Sequence, residues 1–378
     1  MRKLVTVRTV GQITPIENAD AIECISVDGW QVVAKKGEFK EGDKCVYFEI
    51  DSFLPTDDVR FSFLAKNGTK TDSDGVERVR LRTIRLRGQI SQGLALPLHL
   101  FPEIVGLLHT NQEDFSETVN VIKYEQPEKA LGRAAAGTFP WWIRKTDEER
   151  IQNCYGRFAG VHKDTMFVPT LKLDGTSTTI AYVRDNKQEL WVGAMVAENE
   201  DGLLSYLSTK GLEDVKDGEV TLYSRNQRLK WDINGGSHYT NAVFNGNIQH
   251  KIVALSNHLG VSVAIQGETM GEGIQGNPEK FREYRFYAFN IFDIDNQEYL
   301  HYDNVIALFE KFDILSVPLL GEPEKVFETK TLQEILDHAD GESINAKVRE
   351  GVVWKSVGVN PPVSFKAISN NFLLKVEK

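Results

Sequence analysis

The sequence has 378 residues, of which 41% are hydrophobic and 26% are charged, and its formal net charge is −10. This composition excludes wholesale disorder, and the length indicates two domains. The acidic total argues against a uniformly basic nucleic-acid-binding protein, although positive charge can be concentrated locally.

Recognisable targeting signals are missing from this sequence. No apolar run approaches the ~18 residues that cross a bilayer, and the start, MRKLVTVRTVGQ, lacks the apolar core of a secretory signal. The three cysteines, Cys24, Cys45 and Cys154, have no CxxC spacing and are typical of buried, reduced thiols. We therefore expect a cytoplasmic or nuclear protein that is not secreted and does not bind a membrane.

Short strand patterns dominate the chain as far as about residue 100, separated by turn pairs such as Asp28-Gly29 and Asp74-Gly75. Several short strands with few helical patterns favour a small β-barrel, and the OB-fold is the natural candidate. One of the strand patterns, RVRLRTIRLR, contains no acidic residue and five arginines: Arg78, Arg80, Arg82, Arg85 and Arg87. With a period of two, at least Arg78, Arg80 and Arg82 share one strand face, where they either bind phosphates or only solvate the barrel.

A connector rich in Gly, Ala, Pro and Trp follows, and it places a domain boundary between residues 135 and 136. We therefore predict domains at 1–135 and 136–378. Thr146 with Glu149 forms a capping-box pattern, which predicts a helix that begins at Thr146.

The second domain reads as strand-rich α+β. Helical patterns occur at 241–258, 303–312 and 331–339. Strand patterns occur at 167–175, 177–185, 188–196, 219–226, 261–268, 285–295, 350–357 and 363–369.

Polar residues at the ends of these strands are the candidates for chemistry. They lie in Lys172-Leu173-Asp174-Gly175, Ser224-Arg225-Asn226, Gly267-Glu268, Glu350-Gly351 and Ser364-Phe365-Lys366. Each element alone is more often an ordinary polar strand end. Taken separately, none of them predicts a function.

Other motifs are excluded by their context. Residues 271–276 read G-x-G-x-x-G after a strand, but Asn277-Pro278 follows and leaves no room for the helix that a dinucleotide site requires. The histidines show no metal-ligand spacing, and neither a nucleophile elbow nor a P-loop is present.

The order of the elements is more specific than any one of them. Along the chain, the elements follow one another in the order KLDG, SRN, GE, FYAFNIFD, EGVV and SFK. This is the order of motifs I, Ia, III, IIIa, IV and V in the covalent nucleotidyltransferase superfamily of ATP-dependent ligases and capping enzymes, which this chain resembles. The N-terminal half, with RLRTIRLRGQISQGLALPL and FPWWIRKTDEERIQN, resembles the RNA ligase 5 family of the Deinococcus and Naegleria type. The resemblance implies an α+β chain in which an N-terminal OB-fold β-barrel precedes a nucleotidyltransferase domain built on antiparallel sheets. Only 12 residues follow Lys366, and we expect no second OB domain on that side.

The resemblance implies an ATP-dependent RNA ligase that acts in RNA repair as a monomer and seals 3′-hydroxyl and 5′-phosphate ends through lysyl–AMP and RNA–adenylate. It assigns Lys172 as the nucleophile and Asp174 and Gly175 to the same motif. It assigns Arg225 to the nucleotide and the RNA end, and Lys366 to the phosphates. It further assigns Glu268 and Glu350 to Mg²⁺ or Mn²⁺ through water, Phe289 (or Phe292 or Tyr287) to adenine, and the five arginines of the basic strand to RNA.

Two positions depart from the family pattern. Ser364 stands where many RNA ligases have the first lysine of a K-x-K pair, for which Lys375 is a possible substitute, and Leu171 stands where many have a glutamate. Two other functions stay open from the sequence, namely a ligase of DNA or mixed RNA/DNA nicks and a non-catalytic nucleic-acid-binding homologue.

Overall fold

The computed structural model describes residues 2–124, 135–184, 219–232 and 236–376. The chain forms two compact units, and both are discontinuous in sequence. The first unit comprises Met1–Lys129, Glu149–Gly160 and Asn370–Lys378, and the second comprises Ala130–Glu148 and Val161–Ser369. The contiguous domains 1–135 and 136–378 stay a prediction.

The first unit is built mainly from short strands. They are β1 (Val5–Pro15), β2 (Ile22–Val27), β3 (Trp30–Lys35), β4 (Lys44–Phe48), β5 (Ser52–Pro55), β6 (Lys70–Thr71), β7 (Glu77–Arg80), β8 (Thr83–Leu86), β9 (Gln89–Gln92), β10 (Leu94–Pro97), β11 (Ile122–Lys123) and β13 (Glu149–Arg150). Its helices are α1 (Pro102–Val105), α2 (Ile151–Val161) and α8 (Asn370–Val376), with 3-10 turns at Ser62–Asn67 and Leu98–Leu100.

Strands β1–β7, β10 and β11 form the OB-fold that the sequence predicts. One antiparallel sheet has the order β10-β4-β1-β2-β3, and a second has the order β11-β5-β7-β6. The long strand β1 pairs with both β2 and β4, and its register shifts between Val10 and Ile13, which lets one strand bend around the barrel. Apolar side chains such as Val46, Phe48 and Leu54 fill the interior.

A cluster of charged side chains is half-buried in this unit around Asp51. The Asp51 carboxylate lies 2.6 Å from Arg80 Nη2, 3.1 Å from Arg2 Nη1 and 3.8 Å from Arg150 Nη2. Burial acts to raise the pKa of Asp51, but the three guanidinium groups together outweigh burial and lower the pKa to about 2. Arg2 also binds Glu49, which is buried and accepts a hydrogen bond from Asn153 in α2.

The second unit contains two antiparallel sheets and most of the helices. Its strands are β12 (Ala135–Thr138), β14 (Met166–Lys172), β15 (Thr176–Val183), β16 (Glu219–Tyr223), β17 (Gln227–Leu229), β18 (Val263–Met270), β19 (Arg285–Asp293), β20 (Glu298–Tyr299), β21 (Gly351–Val357) and β22 (Ser364–Ile368). Its helices are α3 (His238–Asn245), α4 (Ile248–Leu259), α5 (Tyr302–Lys311), α6 (Val326–Thr329) and α7 (Leu332–Ala339).

The larger sheet has the order β12-β17-β16-β15-β18-β19-β20, and α3, α4 and α5 cover it through a core that includes Ile180, Ile252 and Phe309. In the smaller sheet β21 lies between β14 and β22. The α+β class predicted from the sequence is confirmed. No helix in the described ranges has the length and hydropathy that a bilayer crossing requires.

Three details of the second unit bear on the sequence predictions. The helix predicted at 241–258 is two helices, because Asn247 adopts a left-handed φ of 54° after Gly246 and breaks the chain direction. The loop at 271–283 contains no helix, as expected for the rejected dinucleotide motif. The strand predicted at 188–196 lies outside the described residues.

We predict that Asp51→Asn destabilises the protein by about 2 kcal/mol at neutral pH, because the native pKa of about 2 lies below the unfolded value near 3.8. A depressed carboxyl pKa stabilises the folded state above about pH 4, and this contribution disappears as the pH falls toward about 2. Urea unfolding of the wild type and the variant at several pH values measures the difference. The exposed Asp57→Asn is the control, and a difference between wild type and Asp51→Asn that does not shrink in acid would contradict the prediction.

Candidate active site

Lys172 is the last residue of β14, at the point where the chain crosses from one sheet to the other. The turn Leu173–Gly175 carries the chain from β14, in the smaller sheet, into β15, in the larger one. Asp-Gly is a favoured turn sequence, and the buried Leu173 anchors the turn in an apolar cluster. The lysine therefore lies where the two sheets meet.

Glu350 is brought to Lys172 by strand register. Lys172 pairs with Gly351 between β14 and β21, so the residue just before β21 faces the lysine, and Lys172 Nζ donates to Glu350 Oε2 at 2.7 Å. Arg349 next to it binds carbonyl oxygens at the end of α7, including those of Ala339 and Asp340, and thereby fixes the start of β21.

Negative charge around the lysine outweighs the effect of its burial. Burial lowers the pKa of Lys172, but Glu350, Glu268 and Asp174 together raise it above its ordinary value. The side chain is therefore an ammonium in this arrangement. About a quarter of its surface is exposed, so it remains accessible from the cleft.

Glu268 approaches from the larger sheet, where it pairs with Ser177 across β15 and β18. Burial raises its pKa to about 8, with the charges of Glu350 and Asp174 adding to the effect. Burial together with Glu350 likewise raises the pKa of Asp174 to about 7. Three carboxyl groups thus share one small region with a single lysine among them.

This anionic region fits a hydrated divalent cation. Among the described residues, no three His, Cys, Asp or Glu side chains converge on one point as a cage built from protein ligands alone. Mg²⁺ commonly uses one or two carboxylates and completes its shell with water and substrate phosphate. Glu268 and Glu350 are the residues that would hold such an ion, and a cation there would offset the charges of Glu350 and Asp174, which add to the effect of burial on the pKa of Glu268.

A cleft opens beside Lys172. The residues that line it are Thr146, Asp147, Glu148, Thr170, Leu171, Lys172, Leu173, Ser177, Arg225, Glu268, Phe289, Val317, Val353, Lys355 and Lys366. It brings together five of the residues predicted from the sequence, namely Lys172, Arg225, Glu268, Phe289 and Lys366, while Glu350 adjoins it through Lys172.

Asp147 lies between two of the basic side chains of the cleft, Lys366 and Arg225. Its carboxylate is 3.4 Å from Lys366 Nζ and 3.9 Å from Arg225 Nη2. The predicted helix start at Thr146 is wrong, since the first helical residue is Ile151. The capping pattern does not start a helix here, and residues 146–148 are irregular and line the cleft.

Phe289 owes its position to a β-bulge. The register between β18 and β19 shifts so that Gln266 faces Asn290 and Gly267 faces Ala288, which leaves Phe289 as the extra residue. Its ring lines the cleft. The two alternative aromatics, Phe292 and Tyr287, are buried in apolar clusters instead.

Lys355 is a cleft residue that the sequence reasoning missed. It is 5% exposed, its Nζ donates to Asn290 Oδ1 at 2.6 Å, and it lies 5.5 Å from the centre of the Phe289 ring. Burial lowers its pKa. A lysine inside the apolar strand GVVWKSV is the signal that could have identified it.

The basic strand of the first unit is only partly available to a ligand. Arg78 is 2% exposed and is bound to Asp72 and Asn120, so its predicted contact with RNA is wrong. Arg80 pairs with Asp51, and Arg82 lies beyond the end of β7, so the three do not share one strand face.

The remaining arginines of this segment lie on the β8–β9 hairpin. Arg85 and Arg87 are exposed, and Arg87 with Gly88 forms its two-residue turn at positive φ.

An OB-fold together with a lysine at the junction of two antiparallel sheets, among three carboxyl groups, defines a covalent nucleotidyltransferase of the ligase type. Comparison with known families agrees. A model described as an OB-fold domain matches residues 4–98, and one described as RNA ligase matches residues 165–372.

Solved structures of Naegleria gruberi RNA ligase are similar to this chain over nearly its whole length. The complex with pyrophosphate is 38% identical, with a TM-score of 0.78 and coverage of 99% of this chain and 98% of that one. A lysine-to-alanine variant with ATP and Mn is 38% identical (TM-score 0.77, 98% of each chain), and a glutamate-to-alanine variant with AMP and Mn is 37% identical (TM-score 0.78, 98% of each chain). A search of curated proteins found no match.

The chain belongs to the RNA ligase family. The resemblance to the Naegleria-type ligases that the sequence indicated is confirmed.

We predict that Gly175→Ala lowers the rate of reaction at Lys172 by about 100-fold, the scale expected when reacting groups are misplaced by about 1 Å. A Cβ at this position would lie 2.5 Å from the Thr269 carbonyl oxygen and 2.8 Å from Glu268 Cγ, so the turn or the glutamate must move. The rate of labelling by α-labelled ATP measures the effect.

Gly156→Ala is the matched control, because a Cβ there has no neighbour within 4 Å. In the middle of α2 it should raise stability by roughly 0.5–1 kcal/mol and leave labelling unchanged. Equal labelling rates in the two variants would contradict the prediction.

Proposed function

We propose that this protein is an ATP-dependent RNA ligase that joins 3′-hydroxyl and 5′-phosphate ends. The observation that carries the proposal is the position of Lys172, bonded to Glu350, near Glu268 and open to a cleft that also contains Arg225 and Lys366. An amine among carboxylates beside two cations suits attack on a nucleotide phosphate.

In the first step, Lys172 Nζ forms a bond to the α-phosphorus of ATP and pyrophosphate leaves. The amine must first lose a proton, and Glu350 Oε2, at 2.7 Å, is the nearest acceptor. Arg225 and Lys366 are placed to neutralise phosphate oxygens once the Asp147 carboxylate moves away from them. The ring of Phe289 offers a stacking surface for adenine.

Glu268 and Glu350 would hold Mg²⁺ or Mn²⁺ through water, and the ion when bound supplies positive charge that stabilises the phosphoryl transition state. The later steps transfer AMP from Lys172 to the RNA 5′-phosphate and release it when the 3′-hydroxyl attacks. The same cleft serves all three steps, because each one handles the same α-phosphate.

RNA contact by the first unit is assigned to the exposed hairpin. Arg85 and Arg87 project on β8–β9, whereas Arg78 and Arg80 bind carboxylates of the unit itself. We further propose that the protein acts as a monomer in the cytoplasm or nucleus, which suits its three buried, free cysteines.

We predict that wild-type protein incubated with α-labelled ATP and Mg²⁺ or Mn²⁺ forms an acid-labile labelled adduct that Lys172→Ala and Lys172→Arg both lack. Arginine keeps the charge but cannot supply a neutral amine. The exposed Lys163→Ala is the control and retains the label. An unlabelled wild type would favour a non-catalytic nucleic-acid-binding protein, and labelling by GTP but not ATP would point to capping chemistry.

Nicks with a 3′-ribonucleotide and a 3′-deoxyribonucleotide end then separate RNA from DNA ligation. An RNA ligase seals the ribonucleotide end faster. Equal or greater activity on the deoxyribonucleotide end would instead identify a DNA or mixed-strand ligase.

We predict that Arg85→Ala with Arg87→Ala weakens the sealing of RNA several-fold while adduct formation, which needs no RNA, changes by less than about twofold. The loss should be largest at low salt and shrink as the salt concentration rises, because the variant neutralises fewer phosphates and its RNA affinity depends less steeply on salt. The control pair is Lys35→Ala with Lys36→Ala, two exposed lysines of the same unit. Equal loss in both reactions would count against an RNA role for the hairpin.

A further inference from the structure

Trp141 is the most exposed large aromatic side chain of the described second unit, with 75% of its surface accessible. Its neighbours Trp142 and Ile143 are each only 2% exposed and pack in an apolar cluster with residues such as Tyr223. The exposed indole therefore offers a large, flat face on which another ring can stack.

The backbone that carries Trp141 is held firmly on the larger sheet. Gln297 Nε2 donates to the Trp142 carbonyl oxygen at 2.9 Å, and Gln266 Nε2 and Tyr299 Oη donate to the Arg144 carbonyl oxygen at 2.8 and 2.9 Å. The indole is therefore presented on a fixed support, and little ordering is needed when it binds.

Exposed cations follow the ring along the chain toward the cleft. Arg144 and Lys145 are both exposed, and Lys145 Nζ donates to Asn226 Oδ1 at 3.0 Å, next to Arg225 of the cleft wall. Thr146, the next residue, already lines the cleft. Trp141 and Thr146 are five residue steps apart, which span at most about 17 Å, the rise of roughly five stacked nucleotides.

We propose that Trp141 is a stacking platform for a base of the RNA strand whose end occupies the cleft, with Arg144 and Lys145 on the adjoining phosphates. The inference rests on the proposed ligase function and adds a base contact to it. An exposed aromatic face followed by two exposed cations matches the chemistry of a nucleic-acid strand, in which bases alternate with phosphates. A protein partner has no such alternation to satisfy, so the pattern favours RNA.

The test uses Trp141→Ala, Trp141→Phe and the control Phe63→Ala, which removes a half-exposed ring from the first unit. Sealing of a nicked RNA with a pre-adenylylated 5′ end is measured against RNA concentration. We expect Trp141→Ala to raise the RNA concentration for half-maximal rate about tenfold, which corresponds to 1.4 kcal/mol. Trp141→Phe should stay within about threefold, because phenylalanine keeps a stacking face.

A second readout separates this proposal from the ligase proposal itself. Binding of a short 5′-hydroxyl oligoribonucleotide, which no ligase can adenylylate, should quench a component of tryptophan fluorescence that Trp141→Phe lacks. Labelling by α-labelled ATP should be the same in all variants. Absence of labelling in the wild type with quenching intact would overturn the ligase function but keep the RNA contact.

Three outcomes would overturn the stacking role. The first is an unchanged RNA dependence in Trp141→Ala, and the second is an equal loss in Phe63→Ala. The third is a change of oligomeric state in Trp141→Ala without a change in RNA binding, which would identify a protein contact instead.

Discussion

The ion pair between Lys172 and Glu350 is the constraint on which the active site depends. It joins the end of β14 to the start of β21 at 2.7 Å, and the strand register brings the two groups together. The pairing keeps the lysine charged, because the surrounding carboxylates raise the pKa of an amine that must be neutral to attack. The site in this state is assembled, but its lysine is protonated. Positive charge brought to Glu350 and Glu268 would lower the pKa of Lys172 and favour the neutral amine.

The same logic extends to the cations of the cleft. Arg225 and Lys366 face Asp147, so the group that a phosphate would meet is already paired with a carboxylate of the chain. Positive and negative groups therefore satisfy one another before substrate arrives, which limits the cost of gathering like charges in a partly buried space. The segment 317–320 closes the apolar side of the cleft, where Leu171 donates to the Pro318 carbonyl oxygen and Val317 to that of Ala288.

The arginines of the basic segment in the first unit have two different roles, one in the fold and one at the surface. Arg78 and Arg80 hold the barrel together through Asp72 and Asp51, and only the hairpin presents Arg85 and Arg87 outward. A row of arginines in a sequence is therefore not evidence of one binding surface. Burial separates structural guanidinium groups from those that can meet a phosphate, since a buried charge must be paired within the fold.

The sequence by itself determined the two architectures, the family and the order of the motifs, because strand periodicity, turn residues and motif spacing are local properties of the chain. Lys172, Arg225, Glu268 and Lys366 could be selected in this way. Only the tertiary structure decided that a bulge places Phe289 in the cleft and that Lys355 and Asp147 line it. It also decided that Thr146 lines the cleft and does not begin a helix, and that Arg78 is buried. Each of these depends on residues distant in sequence, and register, packing and charge pairing across such distances leave no local pattern to read.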